Sequence, residues 1–194
     1  MLLHKPKFWD YKKSNFLSLL LLPFSSIISI SNWINFIFNK KKFKIKTICV
    51  GNIYVGGTGK TSLCIQINKI LKSKFKTVFI KKRYFDQLDE RKILQNYGRL
   101  ISDENRGVSL DKAEAKKFNL AILDDGLQDK RIDYDISIAC FNSTYGIGNG
   151  YLLPAGPLRE KLEMLKKYNA IFLIGERKNK KLLSILKKFN NKIF

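Results

Sequence analysis

A glycine-rich segment at residues 50–61, with the sequence V-G-N-I-Y-V-G-G-T-G-K-T, constrains the fold of this chain more than any other stretch. The apolar and β-branched residues 45–50 lead into it and predict a strand, and residues 61–72 have the pattern of a helix. Strand, glycine-rich turn and helix in this order are typical of a phosphate-binding loop. In such a loop, backbone N–H groups and the positive end of the helix dipole bind phosphate.

Two side chains at the end of this segment have the chemistry that a bound nucleotide requires. Lys60 is placed to reach the β- and γ-phosphates, and the Thr61 hydroxyl is placed to ligate Mg²⁺. The strict pattern G-x-x-x-x-G-K-[ST] has glycine where this chain has Tyr54. The alternative is a chance glycine turn before a helix. The predicted nucleotide-binding residues are Tyr54, Val55, Gly56, Gly57, Thr58, Gly59, Lys60 and Thr61.

A second motif places acidic residues directly after a predicted buried strand. Residues 120–123 are apolar, and Asp124, Asp125 and Gly126 follow. A carboxylate at the tip of a strand beside a phosphate-binding loop can hold Mg²⁺. An Asp-Gly turn without a metal role is the alternative. The phosphate-binding loop upstream favours the metal role, so Asp124 and Asp125 are candidate ligands.

Strand and helix patterns alternate along the rest of the chain. The further predicted strands are residues 77–80, 120–123, 136–141 and 170–174. The predicted helices are residues 91–97, 111–117, 158–168 and 178–189. This alternation predicts an α/β fold of the P-loop NTPase type, with a mainly parallel sheet and helices on both faces. Such sheets bind ligands at the carboxyl ends of their strands, where both motifs lie.

An uncharged apolar segment precedes the first strand. Residues 14–39 contain no charged side chain, and as a helix residues 16–38 would span about 35 Å. Pro23 predicts a kink or a restart of that helix. The polar residues that would share one narrow helical face are Ser18, Ser25, Ser29 and Asn32. With lysines at both ends, the pattern favours a helix in the interface of an anionic membrane over a spanning helix or a soluble core helix.

The charge and the cysteines place weaker bounds on function. A net charge of +21 suggests an anionic partner such as an acidic lipid, a phosphorylated substrate or a nucleic acid. The lysines are scattered, and codon bias can produce this composition, so nucleic acid is not among the expected partners. Cys49, Cys64 and Cys140 lie in apolar segments without metal-ligand spacing. They predict buried core residues in a reducing compartment.

Residues 147–160, I-G-N-G-Y-L-L-P-A-G-P-L-R-E, form a third block. Composition alone predicts a structured loop that leads into a helix, with Pro157 in its first turn. In combination and in order, the glycine-rich segment, L-D-D-G-L-Q and this block closely resemble the tetraacyldisaccharide 4'-kinase family of lipid A biosynthesis. The uncharged N-terminal segment is similar to the membrane-associated helix of that family. The resemblance covers nearly the whole chain.

The resemblance implies transfer of the γ-phosphate of ATP, with Mg²⁺, to the 4'-hydroxyl of an anionic glycolipid, tetraacyldisaccharide 1-phosphate. It also implies that the protein acts at the cytoplasmic face of the bacterial inner membrane. The pattern of the N-terminal segment favours monotopic anchoring to that surface. The family's catalytic base is an Asp in a G-D-E-P segment, and Asp89 occupies the corresponding place. Glu90 is then a candidate metal neighbour, and Lys60 the second catalytic residue. A solvated acidic pair is the alternative for Asp89 and Glu90. The family's S-R-G-Y reads K-K-R-Y at residues 81–84.

The expected organisation is a basic N-terminus with a membrane-associated helix at residues 1–44 and a P-loop kinase domain at residues 45–194. Members of the resembling family continue into a second lobe, which supplies a histidine thought to assist the base. His4 is the only histidine here, so the chain is expected to be a fragment or a truncated product with at most trace lipid kinase activity. A partitioning-type membrane ATPase and an inactive nucleotide-binding remnant are the other readings. The former carries a signature lysine where Val55 stands.

Overall fold

The computed structural model describes most of the chain. The described residues are 6–11, 15–37, 40–84, 88–175 and 179–194, with side chains of the N-terminal helix described to residue 27. The strands are β1 (Lys46–Gly51), β2 (Thr77–Lys81), β3 (Leu100–Ile101), β4 (Leu120–Asp124), β5 (Ile136–Asn142) and β6 (Ala170–Ile174). The α-helices are α1 (Phe16–Ile37), α2 (Lys60–Leu71), α3 (Leu88–Tyr97), α4 (Arg106–Ala115) and α5 (Lys180–Lys187). Short 3₁₀ helices cover Lys7–Asp10 and Leu162–Lys167.

The strands form a six-stranded sheet in the order β3-β2-β4-β1-β5-β6. The pairs β1–β4, β1–β5, β2–β4 and β2–β3 are all parallel. The consecutive strands β1 and β2, β3 and β4, and β4 and β5 are separated in the sheet, and crossovers connect the parallel strands, which is the topology of an α/β fold. The predicted fold class is therefore confirmed.

By internal contacts the chain divides into two compact units. The sheet unit consists of residues 39–52 and 59–140, and the loop unit of residues 1–38, 53–58 and 141–194. The sheet unit has a core of apolar side chains from its central strands and from α2. Cys49, Cys64 and Cys140 are buried there as thiols, as the sequence predicts. Burial raises the pKa of Cys49 to about 12, which keeps this thiol protonated.

In the loop unit, α1 packs through its polar residues. The buried Ser18 hydroxyl accepts a hydrogen bond of 3.1 Å from Asn149 Nδ2. The Ser25 hydroxyl donates to the carbonyl oxygen of Leu152 at 3.0 Å and accepts from the amide of Ala155 at 3.3 Å. The predicted serine face thus exists and faces inward, whereas Ser29 and Asn32 lie outside the described side chains. Within the described residues, no helix combines the length and the apolar character that crossing a membrane requires.

The apolar residues of α1 lie on the other side of the helix. Phe16, Leu17, Leu19, Leu20, Phe24 and Ile27 are each at least half exposed. Pro23 lies within α1 without ending it, so the predicted restart is wrong. The helix continues because the proline removes a single backbone donor, and the rest of the ladder still forms.

The structure corrects two local predictions and adds one strand that was not predicted. The predicted helix at residues 158–168 is wrong, because the backbone of residues 157–159 pairs with residues 53–55; only Leu162–Lys167 forms a helix, which is a 3₁₀ helix. Helix α4 begins five residues before the predicted start, at Arg106, where the Asn105 side chain caps it by accepting from the Gly107 amide. Strand β3, with two residues, was too short to give a periodic signal.

Candidate active site

The end of the glycine-rich segment begins α2 in the sheet unit. Gly59 has φ 75°, a left-handed conformation that glycine adopts without strain, and the helix starts at Lys60. This turn places Thr61 in the first turn of α2, where its hydroxyl donates a hydrogen bond of 3.0 Å to Asp124 Oδ2. The two sequence motifs therefore meet, side chain to side chain.

Asp124 is the last residue of β4 and is fully buried. In the parallel register it lies beside Val50, near the end of β1 where the glycine-rich segment begins. Its second carboxylate oxygen, Oδ1, has no hydrogen-bond partner within the part of the chain that the structure describes. A buried carboxylate oxygen without a partner is costly unless a ligand supplies one.

This arrangement fits Mg²⁺. A hydroxyl and a buried carboxylate lie together, and one carboxylate oxygen is open to a further partner. The described residues contain no cluster of three or more His, Cys, Asp or Glu side chains suited to a metal. Magnesium at nucleotide sites needs no such cluster, because water and phosphate oxygens complete its coordination.

Lys81 is an unpredicted member of the site. Its Nζ lies 2.7 Å from Asp124 Oδ2 and 2.5 Å from Glu90 Oε2, and its side chain is 2% exposed. Burial lowers the pKa of Lys81, but the two carboxylates outweigh burial, so the pKa lies above its ordinary value. One sequence signal could have indicated this contact. Lys81 and Asp124 each end a strand of five residues, β2 and β4, and the parallel register of these strands pairs the two residues.

The acidic pair lies in the first turn of α3. Glu90 reaches Lys81 and is thereby joined to the Asp124 cluster, although it is half exposed. Asp89 is exposed and is not drawn into that cluster by any hydrogen bond of the described residues. The structure brings Glu90 to the site, while the role of Asp89 stays a prediction.

Asp125 follows β4 in a left-handed backbone conformation, with φ 62°. Its amide donates to the carbonyl of Val50 at 2.8 Å, and its carbonyl accepts from the buried guanidinium of Arg106. The next carbonyl, that of Gly126, accepts from the Tyr134 hydroxyl at 2.9 Å. Arg106 and Tyr134 therefore hold the turn that carries the acidic motif. The sequence did not predict these two residues, because neither hydrogen bond follows from a local pattern.

The first half of the glycine-rich loop lies in the loop unit and is supported by the third block. The Val55 amide donates to the Pro157 carbonyl at 2.8 Å, and the Arg159 amide to the Ile53 carbonyl at 2.7 Å. Tyr54 pairs with Leu158 as an isolated bridge between them. Its ring is buried beside Gly56, where a Cβ would meet ring carbon Cε1 at 3.4 Å. Tyr54 therefore fills the space under the loop, which explains a large residue at this motif position.

Comparison with known proteins agrees with this geometry. A family model described as LpxK, tetraacyldisaccharide-1-P 4'-kinase, matches residues 15–192. A tetraacyldisaccharide 4'-kinase of Pelagibacter ubique (strain HTCC1062) is 54% identical over 90% of this chain and 56% of its own length. One from Rickettsia canadensis (strain McKiel) is 34% identical over 97% of this chain and 63% of its own.

A solved structure gives the same result. The LpxK of Aquifex aeolicus, crystallised in complex with ATP, superposes with a TM-score of 0.70 at 28% identity, over 81% of this chain and 59% of that one. The chain spans less than two thirds of the length of each of these relatives. From its sequence and its fold, this chain belongs to the tetraacyldisaccharide-1-P 4'-kinase family.

Proposed function

We propose that this chain carries the ATP site of a lipid kinase, which transfers the γ-phosphate of ATP to the 4'-hydroxyl of tetraacyldisaccharide 1-phosphate. The observation that carries the proposal is the 3.0 Å hydrogen bond between Thr61 and the buried Asp124. This contact joins a hydroxyl at a helix N-terminus to a carboxylate at a strand end, which is the pair that nucleotide-bound Mg²⁺ requires. Membership of the family supplies the reaction and the acceptor.

Each residue of the site has a separate task. Lys60 would neutralise the β- and γ-phosphates, and backbone amides of the glycine-rich segment would bind them, as in phosphate-binding loops in general. Thr61 and Asp124 would hold Mg²⁺, and Asp125 and Glu90 are further candidate ligands. When bound, the metal offsets the charge that develops during phosphoryl transfer.

We assign the general base to Asp89. It lies next to Glu90 in the first turn of α3, and Glu90 is joined through Lys81 to the Asp124 cluster. An exposed carboxylate beside the nucleotide site is accessible to the hydroxyl of a bulky glycolipid. Asp89 would accept the proton of the 4'-hydroxyl as that oxygen attacks phosphorus.

Helix α1 supports the proposed location at a membrane. Its exposed apolar residues suit the acyl region of a bilayer, and its serines pack inside the loop unit. We therefore place the chain at the cytoplasmic face of the inner membrane, anchored by α1 in the interface. Lysines beside the helix would attract anionic lipid, and the excess of positive charge suits a phosphorylated glycolipid.

A cavity beside α1 is suited to part of the acceptor. It has a volume of about 570 Å³ and lies within the loop unit, between α1 and the third block. Leu22, Leu152, Leu158 and Leu162 line it, together with polar residues that include Lys161 and Glu163. The leucines suit an acyl chain, and Lys161 is the cation of this wall that an anionic sugar could approach.

The test replaces the aligned segment of the Pelagibacter ubique kinase with this chain and measures transfer of labelled γ-phosphate from ATP to tetraacyldisaccharide 1-phosphate. We expect transfer by the chimera and none when it carries Lys60→Met. A folded chimera that hydrolyses ATP without phosphorylating the lipid would favour a partitioning-type ATPase. A folded chimera that binds ATP but neither hydrolyses nor transfers it would favour a nucleotide-binding remnant.

A further inference from the structure

Lys81 is a buried lysine with two acidic partners. It ends β2, and its ammonium lies between Asp124, which is fully buried, and Glu90, whose side chain is 50% exposed. The parallel register places Lys81 and Asp124 side by side, so the contact is built into the sheet. A charge removed from water in this way needs a close partner of opposite sign.

Asp124 uses its two oxygens differently. Oδ2 accepts from both Thr61 and Lys81, at 3.0 and 2.7 Å. Oδ1 has no hydrogen-bond partner among the described residues. The same carboxylate is the proposed metal ligand, so a lysine ammonium and a divalent cation have a common anionic partner.

We propose that Lys81 is the resident counter-cation of Asp124, and that Mg²⁺ entering with the nucleotide competes with the Lys81 ammonium for this carboxylate. This inference rests on the metal–nucleotide site proposed above. Glu90 has a defined part in the exchange, because it keeps the ammonium paired when the metal holds Asp124. Lys81 is thus a positioning residue that sets the concentration of Mg²⁺ at which the site fills.

The first test measures thermal unfolding without nucleotide. Lys81→Met leaves the Asp124 carboxylate buried without a cation. The unfolding temperature of this variant should therefore lie several degrees below that of the parent in metal-free buffer. Millimolar MgCl₂ should recover part of this loss in Lys81→Met and leave the parent nearly unchanged. The double variant Lys81→Met/Asp124→Asn should regain stability without metal. Lys82→Met removes the same charge one residue along and is the control.

The second test measures the Mg²⁺ concentration for half-maximal ATP binding by calorimetry. Lys81→Met removes the cation that competes with Mg²⁺ for Asp124. This variant should therefore need about tenfold less Mg²⁺, because the electrostatic effect of one nearby unit charge is of that order. Lys81→Arg should behave as the parent. Glu90→Gln should raise the requirement, since the displaced ammonium then lacks a partner. This last variant keeps Asp124 paired and gives an answer even where Lys81→Met does not fold.

The outcomes separate the inference from the proposed function. Equal Mg²⁺ requirements in the parent, Glu90→Gln and any folded Lys81→Met would overturn the role of Lys81. So would a double variant that is no more stable than Lys81→Met. Failure of every variant and of the parent to bind ATP would instead reject the nucleotide site, while the metal-free unfolding experiment would still report on the counter-cation.

Discussion

The backbone amide of Val55 donates a hydrogen bond of 2.8 Å to the carbonyl oxygen of Pro157. These residues are about a hundred positions apart in sequence and belong to the first and the third motif. The Arg159 amide adds a second bond, to the Ile53 carbonyl, at 2.7 Å. The third block therefore supports the glycine-rich loop through its main chain.

Substitution of Gly156 should disturb this support. A Cβ there would lie 2.2 Å from Asn149 Oδ1 and 2.5 Å from the carbonyl of Tyr151, so backbone must shift. We expect Gly156→Ala to lose about 1–3 kcal/mol of unfolding free energy, as overpacking does. Gly57→Ala, whose Cβ would meet no atom within 4 Å, is the control for denaturant unfolding. Equal stability of the two variants would contradict the supporting role.

The contact between Thr61 and Asp124 predicts a metal-dependent defect. Thr61→Ala removes the hydroxyl and should weaken ATP binding in Mg²⁺ about tenfold or more, the usual loss for a hydrogen bond to a charged group. Thr61→Ser keeps the hydroxyl and should bind as the parent. Calorimetry with Mg²⁺ and with chelator separates the effects: in chelator the three proteins should bind alike. A Thr61→Ala protein with full Mg²⁺-dependent affinity would remove Thr61 from the metal site.

Asp89 is expected to act on the acceptor rather than on the nucleotide. Asn preserves its shape but cannot accept the proton of the sugar hydroxyl, and loss of a general base costs about 10²–10⁴-fold. In the chimera with the Pelagibacter kinase, Asp89→Asn should therefore lose kcat while ATP affinity is retained. Asp111→Asn, at another exposed carboxylate, is the control. Unchanged turnover in Asp89→Asn would show that a different group takes the proton.

The outward apolar face of α1 predicts membrane binding. Replacing Leu20 and Phe24 with Gln removes two exposed apolar side chains but leaves the buried serines in place. Burial of each is worth about 1.5–3 kcal/mol, so binding to anionic vesicles should fall at least about tenfold in a sedimentation assay. Ile70→Gln changes an exposed residue of α2 and should bind as the parent. High salt should weaken binding, since charge attraction is screened.

Asp135 predicts an acid-dependent part of the stability. Burial raises the pKa of this carboxyl, but Lys42 and the amide and hydroxyl of Thr47 lower it more, so the pKa lies below its usual value. A depressed folded pKa stabilises the protein above the unfolded pKa of about 3.9, and the contribution is lost as the pH falls through the folded value.

Asp135→Asn should therefore be less stable than the parent by a constant amount above about pH 5, and the difference should shrink below about pH 4. Chemical denaturation across this range measures it. Asp111→Asn again provides the control, because its pair with Lys41 is exposed and worth little. A difference that persists undiminished in acid would show that Asp135 acts through packing rather than charge.

Local sequence patterns were enough to predict several parts of this protein. The glycine-rich loop between β1 and α2 was predictable because Gly56 and Gly59 supply backbone conformations that other residues resist. The acid at the end of β4 was predictable because an apolar run of strand length precedes it. Strand alternation with helices then fixes a parallel sheet, whose strand ends bring Thr61 and Asp124 to one edge.

The partners of polar groups in remote residues became visible in the folded structure alone. Ser18 and Ser25 share a helical face in any helix, but contact with Asn149 and Leu152 turns that face inward. The residues around Pro157 have the composition of a helix start, yet their backbone pairs with the glycine-rich loop and forms no helix there. Lys81 reads as a solvated lysine until the register of β2 and β4 places it against Asp124. A hydrogen bond or ion pair between distant residues depends on packing and register, which no local pattern contains.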